Sequence, residues 1–225
     1  MSDHEHIIPL FPLGIVALPG LPIPLHIFEE RYKQMIQDCL NRDGPFGIVL
    51  FQGERMHDVG CTVRVLQVIK RYNDGRMDIL TQGEQRFIIR NLIEEKSYLQ
   101  ASITFFGDRP EETDADLRET AQKGLTLLRE LSRLLTGQED EFLHIDDMEQ
   151  ISFTLAGSEG FSPEEKQTFL EMTSTRRRLE KSTRAMASLI ERVRLTEQIN
   201  RLIRGNGYLR NTLGGGNVQD RLKAL

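Results

Sequence analysis

The chain has 225 residues, of which 39% are hydrophobic and 28% charged, with a net charge of −5, and these are ordinary values for a soluble globular protein. No run of about 20 apolar residues is present, which argues against a membrane-spanning helix, and the N-terminus lacks the basic start and apolar core of a signal peptide. Cys39 and Cys61 are the only cysteines, which excludes a disulfide-rich scaffold and leads us to expect a cytoplasmic protein.

The first half of the chain predicts short strands separated by turns. Two prolines break the apolar run at 7–15, so this run is at best an edge or irregular strand. Three prolines make 18–24 an extended, turn-rich segment. Apolar residues at helical spacing predict one amphipathic helix over 29–40, and GIVLF at 47–51 is typical of a buried strand.

Two β-rich runs on either side of Asn73-Asp74-Gly75 predict a hairpin, because an Asp-Gly between strands is a strong turn signal. Their apolar and polar residues alternate only imperfectly. Two further runs, at 86–93 and 98–106, extend the hairpin into a meander. We therefore predict five to seven strands and one helix over residues 1–107, arranged as a small, mostly antiparallel barrel.

The second half predicts helices. Leucine and alanine recur at helical spacing up to Gly137, and Asp146 with Glu149 resembles a capping box for the next helix. Ser162-Pro163-Glu164-Glu165 is a stronger helix start, with an N-cap serine and a proline at the first helical position.

A last, long helix is expected over 175–204, with one apolar stripe that includes Ile199 and Leu202/Ile203. We predict a helical bundle over 108–204 and a flexible, glycine-rich tail over 205–225.

Charge is unevenly distributed in this half: an acidic stretch at 108–174 precedes the basic helix at 175–204. Packing of the two against each other is the simpler interpretation, and a nucleic-acid-binding helix is the alternative. The basic helix contains no aromatic residues on which bases could stack, so nucleic acid is not the expected partner.

Four sequence motifs, in order along the chain, resemble the N-terminal domain of Lon proteases. They are LFPLG at 10–14, PLHIFEERY at 24–32, VGCTV at 59–63 with GEQRF at 83–87, and, in the helical half, SF at 152–153 with EEKQ at 164–167 and RLE at 178–180. The resemblance is closest to free-standing bacterial versions of this domain and extends to the equivalent region of cereblon. It implies an α+β fold in which a PUA-like, mostly antiparallel β-barrel is followed by an α-helical bundle with a long C-terminal helix.

The proline-rich motifs contain more apolar residues than turns require, which suggests a recognition surface. The apolar candidates are Phe11, Leu18, Leu21, Ile23 and Phe28. His26, Glu29, Arg31 and Arg86, which lie in the family motifs, are candidates for a polar recognition cluster or a proton-transfer pair. A purely structural interpretation is also open. In that interpretation the apolar members are core residues, Glu29 pairs with Arg86 or caps a turn, and a hydrogen-bonded His26 holds the proline-rich segment in place.

We expect no catalytic activity, cofactor or metal. The sequence has no GxxxxGK[ST] nucleotide-binding loop, no GxSxG motif and no CxxC pair. The resemblance implies instead a non-catalytic module that binds unfolded or peptide-like segments or a partner protein, as a monomer or weak dimer. Three alternatives stay open: an RNA-binding PUA-like protein, an adaptor or regulator in proteolysis, and an ATP-independent peptidase whose nucleophile cannot be located.

Overall fold

The computed structural model describes residues 6–110, 115–137 and 146–205. The expected tail, apart from its first residue, lies outside the described residues. The chain divides into two compact units. We call Met1–Pro110 with Phe161–Ser174 the barrel unit, and Glu111–Gly160 with Thr175–Leu225 the helical unit. No helix among the described residues is long and apolar enough to cross a membrane.

Six strands and five helices occur in the described ranges. In chain order they are β1 (His6–Leu13), β2 (Pro22–Ile27), α1 (Glu30–Arg42), β3 (Phe46–Gln52), β4 (Arg55–Arg71), β5 (Met77–Ile93), β6 (Gln100–Phe106), α2 (Ala115–Thr136), α3 (Met148–Ala156), α4 (Pro163–Glu171) and α5 (Thr175–Gly205). The predicted α+β fold is confirmed.

The strands of the barrel unit form a closed ring with one addition. Their order is β2-β5-β4-β3-β1-β6, and β6 pairs again with β5, so five strands close on each other and β2 lies outside the ring. Only β1 and β3 run parallel; the other named pairs are antiparallel. Closure leaves the five ring strands paired on both sides over part of their length, which removes most open sheet edges.

The ring encloses a core to which Leu10, Val49, Phe87 and Ile103 contribute. Gly60 is required beside this core. A Cβ atom at this position would lie 2.5 Å from both the Ile48 carbonyl oxygen and the Phe87 ring. The glycine therefore lets β4 approach the aromatic side chain that fills the ring.

β1 is one of the five ring strands and lies between β3 and β6, whereas its prolines predicted an edge or irregular strand. Its first half, up to Pro9, pairs with β6, and its second half, from Leu10 to Leu13, pairs with β3. Each proline therefore has a paired strand on one side only. No strand pairs with its other side there, so the N–H that a proline lacks is not needed for a ladder on that side. The local rule about proline holds, but the strand changes partner along its length.

The predicted hairpin is confirmed between β4 and β5. Tyr72 and Arg76 close it through a 2.9 Å hydrogen bond from the Tyr72 N–H to the Arg76 carbonyl. Gly75 has φ +81°, a left-handed conformation that a glycine adopts without strain. The segment at 18–24 is extended as predicted, and its last residues begin β2.

α4 belongs to the barrel unit, although the sequence suggested a place in the bundle at 108–204. Its start is the predicted capping box, in which Ser162 and Glu165 bond each other's backbone. Gln167 on its buried side donates a 3.0 Å hydrogen bond to the Val59 carbonyl of β4. The proposed subdomain limits at 107 and 204 otherwise stay predictions.

The helical unit contains α2, α3 and α5. Gly137 follows α2 in a left-handed conformation, as predicted, whereas the N-cap of α3 is Asp147 and not Asp146. The buried stripe of α5 ends near Val193. Beyond it Leu202 is 68% exposed and Ile199 is also exposed, so the prediction that these residues extend the buried stripe is wrong.

Candidate recognition surface

A three-stranded extension projects from the ring of the barrel unit. It consists of β2, the first half of β5 and the second half of β4, because β3 pairs with β4 no further than Val63. Side chains alternate between its two sides. Leu25 and Ile27 of β2 are paired with Ile79 and Met77 and face the buried side.

The solvent-facing side carries the intervening residues. We call it the outer face and define it by Pro22, Pro24, His26, Phe28, Gln67, Lys70, Tyr72, Asp78, Leu80 and Gln82, to which we add the exposed β4 residues Leu66 and Ile69. On it, Pro24 lies opposite Leu80, and His26 lies opposite Asp78.

Leu66 and Ile69 are exposed because β4 is bulged at each of them. The register of the β4–β5 pair shifts between Val65 and Gln67, and again between Val68 and Lys70. Each bulge adds one residue that has no direct partner on β5. Leu66 is consequently 53% exposed and Ile69 57% exposed.

Three aromatic rings form a row on the outer face. The Phe28 and His26 rings are stacked with centroids 6.0 Å apart, and His26 meets Tyr72 edge-on, also at 6.0 Å. Phe28 is 60% exposed. The ammonium group of Lys70 lies 4.5 Å from the Tyr72 ring centroid, within cation–π range.

Asp78 fixes the position of two of these rings. Its carboxylate accepts a 2.6 Å hydrogen bond from Nδ1 of His26 and a 2.8 Å hydrogen bond from the hydroxyl of Tyr72. These bonds, first that of His26 and then that of Tyr72, lower the pKa of the Asp78 carboxyl because they stabilise its ionised form. The polar part of the outer face is thus held in one arrangement by internal bonds.

Comparison with known proteins identifies the family. A model of the substrate-binding domain of the ATP-dependent protease La (Lon) matches residues 7–188. The chain belongs to the Lon substrate-binding domain family.

Curated Lon proteases match most of the chain. The Lon protease of Paraburkholderia phytofirmans is 29% identical over 208 residues, covering 84% of this chain and 25% of that protein. The Lon protease of Flavobacterium johnsoniae is 23% identical over 211 residues, covering 88% of this chain and 26% of that protein. The chain thus spans about a quarter of the length of these relatives.

Solved Lon N-terminal domains have the same fold. A Lon N-terminal domain protein from Xanthomonas campestris superposes with a TM-score of 0.62 at 25% identity, covering 78% of this chain and 96% of that one. The N-terminal domain of the Mycobacterium avium complex Lon protease gives a TM-score of 0.64 at 18% identity, covering 83% and 98%.

The structure separates the candidates that were predicted from the proline-rich motifs of this Lon-type domain. Phe11 and Leu18 are core residues, with the Phe11 ring 4.0 Å from that of Tyr32, and Leu21 and Ile23 are half-buried. These four therefore support the fold. Of the apolar and aromatic candidates, only His26 and Phe28 lie on the outer face.

The charged candidates have different partners from those expected. Glu29 bonds its neighbour Arg31 at 2.9 Å, so the hypothesis of a Glu29–Arg86 pair is wrong. Arg86 is buried and donates to the Asp108 carboxylate at 2.5 Å and to the Leu170 carbonyl at 3.1 Å. It connects β5 with the segment that follows β6 and with α4, which is a structural role.

Leu66, Ile69, Tyr72 and Asp78 are among the outer-face residues that the sequence interpretation missed. Two of them carried a signal. In β4 the alternation of apolar and polar residues fails at Val65-Leu66 and at Val68-Ile69, the two positions where the strand is bulged. A doubled apolar residue in an alternating strand can therefore indicate an exposed side chain.

Proposed function

We propose that the outer face binds apolar side chains of unfolded or peptide-like polypeptide segments, without catalysing a reaction on them. The observation that carries this proposal is the exposure of Phe28, Leu66 and Ile69 on the same three-stranded extension. Strand alternation places polar residues on the solvent side of an antiparallel sheet, so three large apolar side chains there are unusual. The match to a substrate-binding domain supports the same function.

The expected affinity is modest. Full burial of one large apolar side chain is worth roughly 1.5–3 kcal/mol, and part of this is spent on ordering a flexible segment. Three such side chains, each between 53% and 60% exposed, are consistent with dissociation constants on the order of micromolar or weaker. Weak and sequence-tolerant binding is what a module for many different segments requires.

The cysteines of the barrel unit support binding over covalent chemistry. Burial raises the pKa of the Cys39 thiol to about 11 and that of the Cys61 thiol to about 12. The thiolate is the nucleophilic form, so neither group is activated at neutral pH. These two residues therefore give no support to the alternative of an ATP-independent peptidase.

The test is a binding titration with fluorescein-labelled, unfolded casein and no nucleotide, read by anisotropy. Leu66→Ser and Ile69→Ser should each weaken binding roughly fivefold, and the double variant more than about tenfold, because about 1.4 kcal/mol corresponds to a tenfold change. Leu92→Ser is the matched control, since Leu92 is 47% exposed at the other end of β5. The proposal fails if the double variant binds as tightly as the parent or if the control loses as much.

RNA binding is a second candidate, supported by one specific observation. Tyr72 has two cations over its ring, Lys70 at 4.5 Å and Arg76 at 5.1 Å. Proteins that bind single-stranded RNA use aromatic rings next to cations to stack bases and to contact the phosphate backbone. Arg76 is, however, paired with Asp74 at 2.7 Å, which reduces the net charge available to phosphates. A single-stranded RNA that binds with steep salt dependence and competes with casein would favour this candidate.

A further inference from the structure

We propose that the outer face recognises the side chains of a bound segment and not its backbone, so that the segment adds no strand to the sheet. This inference rests on the proposed function and deepens it. Exposed sheet edges commonly bind peptides by strand addition, in which main-chain hydrogen bonds supply the affinity. The three-stranded extension has two free edges in the described part of the chain, one on β2 and one on β4.

The β2 edge is a poor template for another strand. Among the described strands, β2 pairs only with β5. Pro22 and Pro24, two of its six residues, have no N–H to donate. An added strand would therefore meet missing donors at alternate positions, which is one of the ways in which proteins protect their sheet edges.

The β4 edge is unsuitable for a different reason. Beyond Val63, β5 is the only described strand that pairs with it, so among the described residues no strand pairs with its other side. Its two bulges, at Leu66 and Ile69, break the regular spacing of N–H and C=O groups on which a new strand would depend. Arg64 also occupies this side, because its guanidinium donates a 2.6 Å hydrogen bond to the Asp43 carbonyl.

Both edges are thus blocked, whereas the apolar side chains of the face stay accessible. The same bulges that disrupt the β4 edge bring Leu66 and Ile69 to the outside. A partner that suits this arrangement is a flexible segment with two or three large apolar side chains, in either chain direction and without a requirement for free backbone N–H groups. Side-chain recognition of this kind is tolerant of sequence, which a receptor for unfolded segments needs.

The test compares two peptides with the same apolar side chains, one with ordinary amides and one with N-methyl groups on alternate amides. Each is titrated into the full chain, and a strand-adding PDZ domain with an N-methylated version of its own ligand serves as the positive control. For this protein we expect the ordinary and the N-methylated peptide to bind with affinities within about threefold of each other. For the PDZ domain we expect N-methylation to weaken binding by more than about tenfold, because each backbone hydrogen bond that is lost contributes to the affinity.

Variants locate the binding and separate the possible failures. Leu66→Ser should weaken both peptides equally, and P22V/P24V, which restores two donors, should not improve binding of the ordinary peptide. If only the N-methylated peptide loses its affinity, the inference is overturned and the proposed function stands. If neither peptide binds, both are overturned.

Discussion

The two ends of the β4–β5 hairpin consist of the same two strands and yet have opposite properties. At the ring end, Cys61 and Phe87 are fully buried, and Gly60 leaves space for an aromatic ring. At the turn end, Leu66 and Ile69 are exposed on bulges. β4 and β5 are each 17 residues long and extend beyond the ring. The part of each strand outside the ring is available for the proposed binding surface. The same two strands thus combine close packing at the ring end with exposed apolar side chains at the turn end.

Removal of the Arg86 side chain should produce the largest effect at the ring end. Arg86→Met removes the guanidinium that donates to the buried Asp108 carboxylate and to the Leu170 carbonyl. The free energy of unfolding in urea should fall by about 3–5 kcal/mol, as it does when one partner of a buried ion pair is lost. Arg31→Met, which breaks an exposed pair, is the control and should cost less than about 1 kcal/mol. Similar losses in both variants would contradict this assignment.

Gly60→Ala should produce a smaller effect at the same end. The added methyl would meet the Ile48 carbonyl and the Phe87 ring at 2.5 Å, so strands or ring must move. Overpacking of this kind costs about 1–3 kcal/mol of unfolding free energy. Gly107→Ala is the control, because no atom lies within 4 Å of its ideal Cβ position. Equal thermal stability of both variants would show that the ring tolerates expansion.

The smallest effect is expected at the turn end, from the Asp78 carboxylate. Its pKa is lowered in the folded protein, so it contributes stability above the unfolded aspartate pKa of about 4 and loses that contribution as the pH falls through the folded pKa. Asp78→Asn should therefore be less stable than the parent at neutral pH, and the difference should shrink below about pH 4. Urea unfolding at several pH values measures it. Tyr72→Phe, which removes one of the two donors, should show a weaker version; a pH-independent difference would disprove the linkage.

The sequence was most informative where local chemistry determines the structure. The Asn73-Asp74-Gly75 turn, the Ser162 capping box and the Gly137 helix end all depend on residues within a few positions of each other, and all are confirmed. The Lon-type fold followed from motifs that encode such turns and core positions. Buried members of those motifs, such as Phe11, were for the same reason poor guides to the surface.

The proposed recognition surface and the buried ion pair could not be derived in this way, because they depend on distant parts of the chain. Arg86 is bound by Leu170, 84 residues away, and His26 by Asp78, 52 residues away. No periodicity in one segment identifies a partner in another. The position of β1 was missed for a related reason, since its two halves pair with strands that lie far apart in sequence.

The membership of α4 in the barrel unit has a consequence for synthesis on the ribosome. In sequence, residues 111–160 of the helical unit interrupt the barrel unit, whose last piece ends at Ser174. A nascent chain that has emerged only as far as residue 110 contains β1 to β6 and Asp108, but it still lacks the Leu170 carbonyl that accepts from Arg86 and the Gln167 amide that donates to Val59. Completion of the barrel unit therefore waits until the inserted segment and α4 have been translated, and a fragment cut at residue 110 reproduces that unfinished state.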